Sequence, residues 1–106
     1  MNCCGGGERD AEPSPAGAAD QVRQTQQKYH EFLKSAGAPG ALDARTKKAI
    51  AIALSVLARC EPCVKSHVRK AREMGFSQAE IDEAAWMAIS FGGSPTMMFY
   101  NETKKE

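Results

Sequence analysis

Apolar positions recur at three- and four-residue steps along most of this chain, the period of α-helices with one buried face. The first such stretch carries Val22, Tyr29, Phe32 and Leu33 with Gln26 between them. Asp20 is placed to cap its start, and Gly37 supplies a left-handed residue at its end. After the turn Ala38–Leu42, Asp43 is the next N-cap candidate. The run that follows has two periods at once. Ile50, Ile52, Leu54 and Val56 alternate with Ala49, Ala51 and Ala53, as in a strand. Alanine is the best helix former and is depleted in strands, and the stretch from Ala44 to Arg59 is long for a strand. The pattern predicts a helix that is apolar nearly all round beyond its first turn, and therefore buried in the domain or between subunits.

A third helix is expected from Pro62 to Met74, with proline at its first position, Gly75 as its terminator and Phe76 as the apolar contact beyond. Ser77-Gln78-Ala79-Glu80 spells a capping box. The helix it opens holds Ile81, Ala84, Ala85, Ala88 and Ile89 at core spacing, with Trp86 and Met87 widening the face. Gly92-Gly93 stops it. Ser94 and Pro95 then suggest an N-cap and first position for a last helix, Thr96 to about Thr103, in which Met97, Met98, Phe99 and Tyr100 are apolar. No segment remains for a sheet. The expected architecture is all-α, a bundle of about five helices over residues 20–106. Residues 1–19 are rich in Gly, Ala, Pro and charge, a composition that cannot offset its ordering entropy by burial, and are expected to form a flexible tail.

Composition narrows the function classes. Fourteen Lys and Arg against 13 Asp and Glu give a net charge of +1 with no block of one sign, which argues against a nucleic-acid partner. The N-terminus lacks the basic and apolar regions of a signal peptide. The longest apolar run, Ala49 to Ala58, is too short to span a bilayer. The expectation is a cytoplasmic protein without a membrane partner. So small a domain buries only roughly 60–65% of its unfolded surface, which favours oligomerisation.

The candidate chemistry lies in Cys60-Glu61-Pro62-Cys63-Val64-Lys65-Ser66-His67. Cys63 and His67, four residues apart on a helix, share a face, and Cys60 sits just before its first turn. Unpaired N–H groups and the positive end of the helix dipole stabilise a thiolate there. One thiolate could attack, the second sulfur close a disulfide, and the imidazole move protons. Cys60 is expected to be the more exposed sulfur and Cys63 the better placed for His67. Three other readings compete. Thioredoxin chemistry needs a βαβ unit, which the pattern lacks. Zinc would find Cys60, Cys63 and His67, but a closed site needs a fourth ligand from Cys3, Cys4, His30 or another subunit. The third is a cysteine pair that merely packs. Haem attachment is excluded in its usual form because Val64 follows Cys63.

Beyond the cysteine stretch, Leu42-Asp43-Ala44-Arg45-Thr46-Lys47, Ala71-Arg72-Glu73-Met74-Gly75, Ser77–Ala84 and Gly92-Gly93-Ser94-Pro95 form an ordered set. Together they resemble the carboxymuconolactone decarboxylase and alkylhydroperoxidase-D-like family over Leu42 to about Tyr100. The resemblance implies a homotrimer or homohexamer and a peroxiredoxin-type oxidoreductase without a cofactor or metal. In it Cys60 and Cys63 cycle between dithiol and disulfide, reducing a peroxide or a partner's disulfide at the expense of a thiol reductant or redox partner protein, with His67 in the proton relay. The decarboxylase branch generally lacks the cysteine pair, which places this chain with the redox branch. Redox members usually carry Glu where this chain has Lys48, so Lys48 is expected to modulate the relay, slowing peroxidase turnover, unless Glu61 substitutes. The alternatives are a metal- or thiol-binding helical module without catalysis, and a decarboxylase-like member without peroxidase activity.

Overall fold

The computed structural model describes residues 14–105, which form five α-helices and no strand. Cys3 and Cys4 lie outside the described residues. Helix α1 spans Pro15–Gly37, α2 Ala44–Leu57, α3 Glu61–Glu73, α4 Gln78–Gly92 and α5 Ser94–Lys104. The chain divides between Ala36 and Gly37 into two units, the first holding almost all of α1 and the second the other four helices.

Helix α1 begins five residues before Asp20, the start expected from periodicity. Ser14 and Pro15 explain the difference. The Ser14 hydroxyl accepts from the Gly17 N–H at 3.1 Å, and proline fits the first helical position at no cost in hydrogen bonds. Asp20 lies inside the helix and bonds Arg23 and Gln24 instead of capping. No residue of α1 is buried. Its stripe Val22, Tyr29, Phe32 and Leu33 is exposed, as is His30.

In the second unit α2 packs against α3, α4 and α5, and α3 packs on α2 and α5. Ile52 and Val56 of α2, Val64 and Ala71 of α3, Ile81, Ala85 and Ile89 of α4, and Tyr100 of α5 meet in one core. The ends of the helices are set by the signals read from sequence. Asp43 accepts from the Thr46 N–H at 2.7 Å, and this bond holds its carboxyl below the usual range. Ser77 and Glu80 form the full capping box. Helix α3 closes in a Schellman motif: Phe76 N–H donates to the Ala71 carbonyl and Gly75 N–H to that of Arg72, with Gly75 at φ 93°. Arg45 locks this turn to the start of α2. Its guanidinium donates to the Met74 carbonyl and to Glu80, and stacks over Phe76 at 4.2 Å.

The cap of α5 is Gly93, not Ser94. At φ 77° this residue ends α4 and opens α5 within one position, so Ser94 is already helical and its side chain caps nothing. Within the single chain, helix α2 is buried on one side. Ile52, Ser55 and Val56 are inside, whereas Ile50, Leu54 and Leu57 are 43%, 59% and 41% exposed. Helices α3, α4 and α5 cover one side of α2 only, and Trp86, Met87, Phe91 and Met98 are likewise uncovered.

Close packing at the α4–α5 corner yields a stability prediction. A Cβ at Gly92 would stand 2.0 Å from Thr96 Oγ1 and 3.1 Å from Leu57 Cδ1. Thr96 is fully buried and β-branched, so it cannot swing aside. Gly92→Ala is expected to destabilise by about 1–3 kcal/mol, the usual cost of overpacking, measured by denaturant unfolding. Adding Thr96→Ala should recover part of that loss; a single variant as stable as wild type would contradict the packing described.

Candidate active site

The site is built on the junction of α2 and α3. Helix α2 ends two residues before the expected Arg59, because Arg59 takes φ 55°. Its N–H donates to the Val56 carbonyl, and the next N–H, that of Cys60, to the Ser55 carbonyl at 3.2 Å. This is a Schellman ending with arginine where glycine is usual, at a cost of roughly 1–2 kcal/mol. No periodicity signals it. Its effect is to fix Cys60 at the foot of α2 in extended backbone, φ −101° and ψ 97°, as the N-cap of α3. The Cys60 carbonyl accepts from Val64 N–H at 2.9 Å, and Val64 enters the core.

Cys60 and Cys63 are joined in a disulfide, with Cα atoms 5.2 Å apart. Pro62 stands in the first turn, as expected. The exposures of the sulfur-bearing residues reverse the sequence expectation: Cys60 is half-buried and Cys63 exposed. The reason is the bond to Ser55, which draws Cys60 against α2. Cys63, one position before the inward-facing Val64, stays at the surface.

One helical turn beyond Cys63, His67 is half-buried and its Nδ1 lies 3.1 Å from Nζ of Lys48 on α2. Burial, then the charge of Lys48, then that of Lys70, push the His67 pKa below its ordinary value. Burial and Lys70 likewise lower that of Lys48. The protein thus gathers two cations around an imidazole. Lys70 was not singled out from sequence, although its three-residue step from His67 puts both on one side of α3. Among the described residues, Lys48 is the group hydrogen-bonded to His67. Glu61 turns to Lys65, with which it pairs at 3.6 Å. An ammonium group has no lone pair, so while Lys48 is charged it donates and Nδ1 accepts. The neutral imidazole then carries its proton on Nε2.

Among the described residues, no three His, Cys, Asp or Glu side chains converge closely enough to hold a metal ion. Nor is any described helix long and apolar enough to cross a membrane.

The chain and its helical fold have known relatives. The model of the carboxymuconolactone decarboxylase family matches residues 23–100, so the chain belongs to that family. It is 45% identical over 51 residues to uncharacterised protein 4 in the cox locus of Paracoccus denitrificans, covering 48% of this chain and 46% of that one. The chain spans less than two thirds of the length of the curated relatives it matches. Among solved structures, a family member from Legionella pneumophila in its apo form superimposes with a TM-score of 0.73 at 28% identity, covering 83% of this chain and 79% of that one. A Thermotoga maritima family protein, given a possible involvement in antioxidative response, superimposes with a TM-score of 0.71 at 26% identity, covering 77% and 84%.

Proposed function

We propose that this protein is a thiol-dependent peroxidase or dithiol–disulfide oxidoreductase whose redox centre is Cys60 and Cys63. The observation that carries the reading is the Cys60–Cys63 disulfide at the N-terminus of α3, one turn from the half-buried His67. The possible involvement in antioxidative response given to the Thermotoga maritima relative points the same way.

In the peroxidase cycle a thiolate sulfur attacks one oxygen of ROOH. The O–O bond breaks, ROH leaves after taking up a proton, and a sulfenic acid remains. The second thiol then displaces water from that sulfur and forms the disulfide. A dithiol reductant or redox partner protein returns the pair to thiols and is itself oxidised to a disulfide. With a protein disulfide as substrate the same pair donates the two electrons by exchange. Exposure favours Cys63 as the sulfur that meets peroxide and reductant. Cys60, at the N-cap, is suited to leave as a thiolate facing the free N–H groups of α3.

Proton delivery differs from a carboxylate-supported relay. Lys48 donates to Nδ1 of His67, which leaves Nε2–H free to protonate a leaving alkoxide while Lys48 restores the imidazole from behind. Because Nδ1 already accepts from Lys48 and Nε2 carries the proton, no lone pair is free to take a proton, and the pair is a better acid than base. We further propose that the uncovered faces of α2, α4 and α5 are closed by other copies of the chain in a homotrimer or homohexamer, since apolar patches of this kind mark interaction surfaces. Reduction of the disulfide is suited to the thiol pool of the cytoplasm.

The test is to reduce the protein, add one equivalent of an organic hydroperoxide, and count thiols with peptide mapping. The expected result is loss of the Cys60 and Cys63 thiols together, as an intramolecular disulfide that a dithiol reverses. Thiols unreactive until a chelator is added would support the metal-binding alternative and sink this reading.

A further inference from the structure

A groove of about 460 Å³ lies where α3 diverges from α4 and α5, away from the α2 side of the cysteine site. Its floor is apolar and largely buried: Val64, Val68, Ile81 and the ring of Tyr100. Four cations stand around it, Lys65, Arg69, Arg72 and Lys104, against one carboxylate, Glu73. The chain as a whole is nearly balanced, 14 basic to 13 acidic side chains, so a four-to-one excess here is a local feature.

The cations are not equally engaged. Lys65 pairs with Glu61, and Lys104 with Asp82 at 3.2 Å. Arg72 donates to the neutral amide of Gln78 at 2.8 Å, which leaves its charge uncompensated. The Arg69 side chain makes no hydrogen bond or ion pair among the described residues. Arg69 and Arg72, three positions apart, stand on one face of α3 and line the same wall. Planar guanidinium groups match a carboxylate through paired N–H donors. An inorganic anion would leave the apolar floor wet, and a purely apolar ligand would leave the cations unmatched. The volume is within the roughly 300–1,000 Å³ of small-molecule sites. A small amphipathic anion satisfies both surfaces.

We propose that this groove binds an alkyl carboxylate, its head at Arg69 and Arg72 and its chain along Val64, Val68 and Ile81. The site requires no redox chemistry and stands independently of the cysteine cycle. The Tyr100 hydroxyl is not part of the headgroup site, because it donates to Asp82 at 2.6 Å. Burial and then that bond keep the phenol protonated, its pKa pushed well above the ordinary value.

Decanoate is the probe, followed on the full chain by methyl and amide NMR, with decyltrimethylammonium as the charge-reversed control. The expected result is saturable binding that shifts Val64, Val68 and Ile81, at least about tenfold tighter for decanoate than for the cation. Arg69→Gln, which breaks no side-chain hydrogen bond or ion pair among the described residues, should weaken decanoate by about tenfold, and Arg69→Gln with Arg72→Gln by more. Equal binding of the two probes, affinity unchanged in both variants, or shifts centred on Trp86 and Met87 across the molecule would overturn the proposal. So would binding confined to anionic phospholipid vesicles, which would make the cations a membrane contact.

Discussion

Cys63→Ser is expected to abolish peroxide-driven oxidation, whereas Cys60→Ser should still make one oxidised sulfur. The asymmetry follows from the junction of α2 and α3. Cys63 lies at the surface, while Cys60 is held against α2 by the Ser55 carbonyl. In the proposed cycle a peroxide would therefore reach Cys63 first, and its oxidised sulfur would wait for Cys60 to close the disulfide. With Cys60→Ser the sulfenic acid has no resolving partner and should be trapped by dimedone at Cys63. With Cys63→Ser no adduct should form at Cys60 on the same timescale. Mass spectrometry of tryptic peptides reads both. An adduct at Cys60 in the Cys63→Ser protein, with none at Cys63 in the other variant, would reverse the assignment.

Lys48→Glu should raise the pKa of His67 above its ordinary value of about 6.5, because a like charge in contact is exchanged for an opposite one. In the native protein the imidazole is held neutral by burial, Lys48 and Lys70. A carboxylate at position 48 would accept from Nδ1 and favour the imidazolium, against the remaining push of burial and Lys70. The pair would then act as a base toward a thiol, and general-base assistance is worth roughly 10²–10⁴-fold. We expect oxidation by hydroperoxide at neutral pH to speed up at least about tenfold, with its pH profile following the new His67 midpoint measured by NMR. An unchanged rate and midpoint would mean that Lys48 does not govern the relay. The pH dependence of stability should change sign with the direction of the pKa shift. The lowered value of the native histidine means that the fold loses stability as pH falls below about 6.5 toward the folded midpoint. The raised value of the variant means stability present below about 6.5 and lost as pH rises through its higher midpoint. Lys48→Gln, which removes charge alone, should fall between the two.

Much of the fold was legible because its signals are local. Asp43, Gly75 and the Ser77–Glu80 box act on backbone groups within four residues of themselves, and each operates as its type predicts. The register of α4 followed from spacing, since every position expected in its core is buried. Local rules erred where two of them competed. At α1, Asp20 outranked Ser14-Pro15 because proline counted toward a tail, although the same residue fits the first turn of a helix. At α5, Ser94 was the better cap by type, but Gly93 alone could take the positive φ that links two helices.

The sequence by itself determined the five helices, the cysteine pair at a helix start and the histidine one turn on, because all of these depend on separations of a few residues. Only the tertiary structure decided the character of the site. Lys48 and His67 are 19 positions apart, and their contact requires α2 to pack on α3. Which sulfur faces outward depends on a left-handed arginine and the Ser55 carbonyl, neither of which carries a periodic signal. The basic groove likewise draws on three helices, so its charge excess disappears in a chain whose total is nearly neutral. Separations of three and four residues are written in the order of the chain, but electrostatics act through space, and space is set by packing.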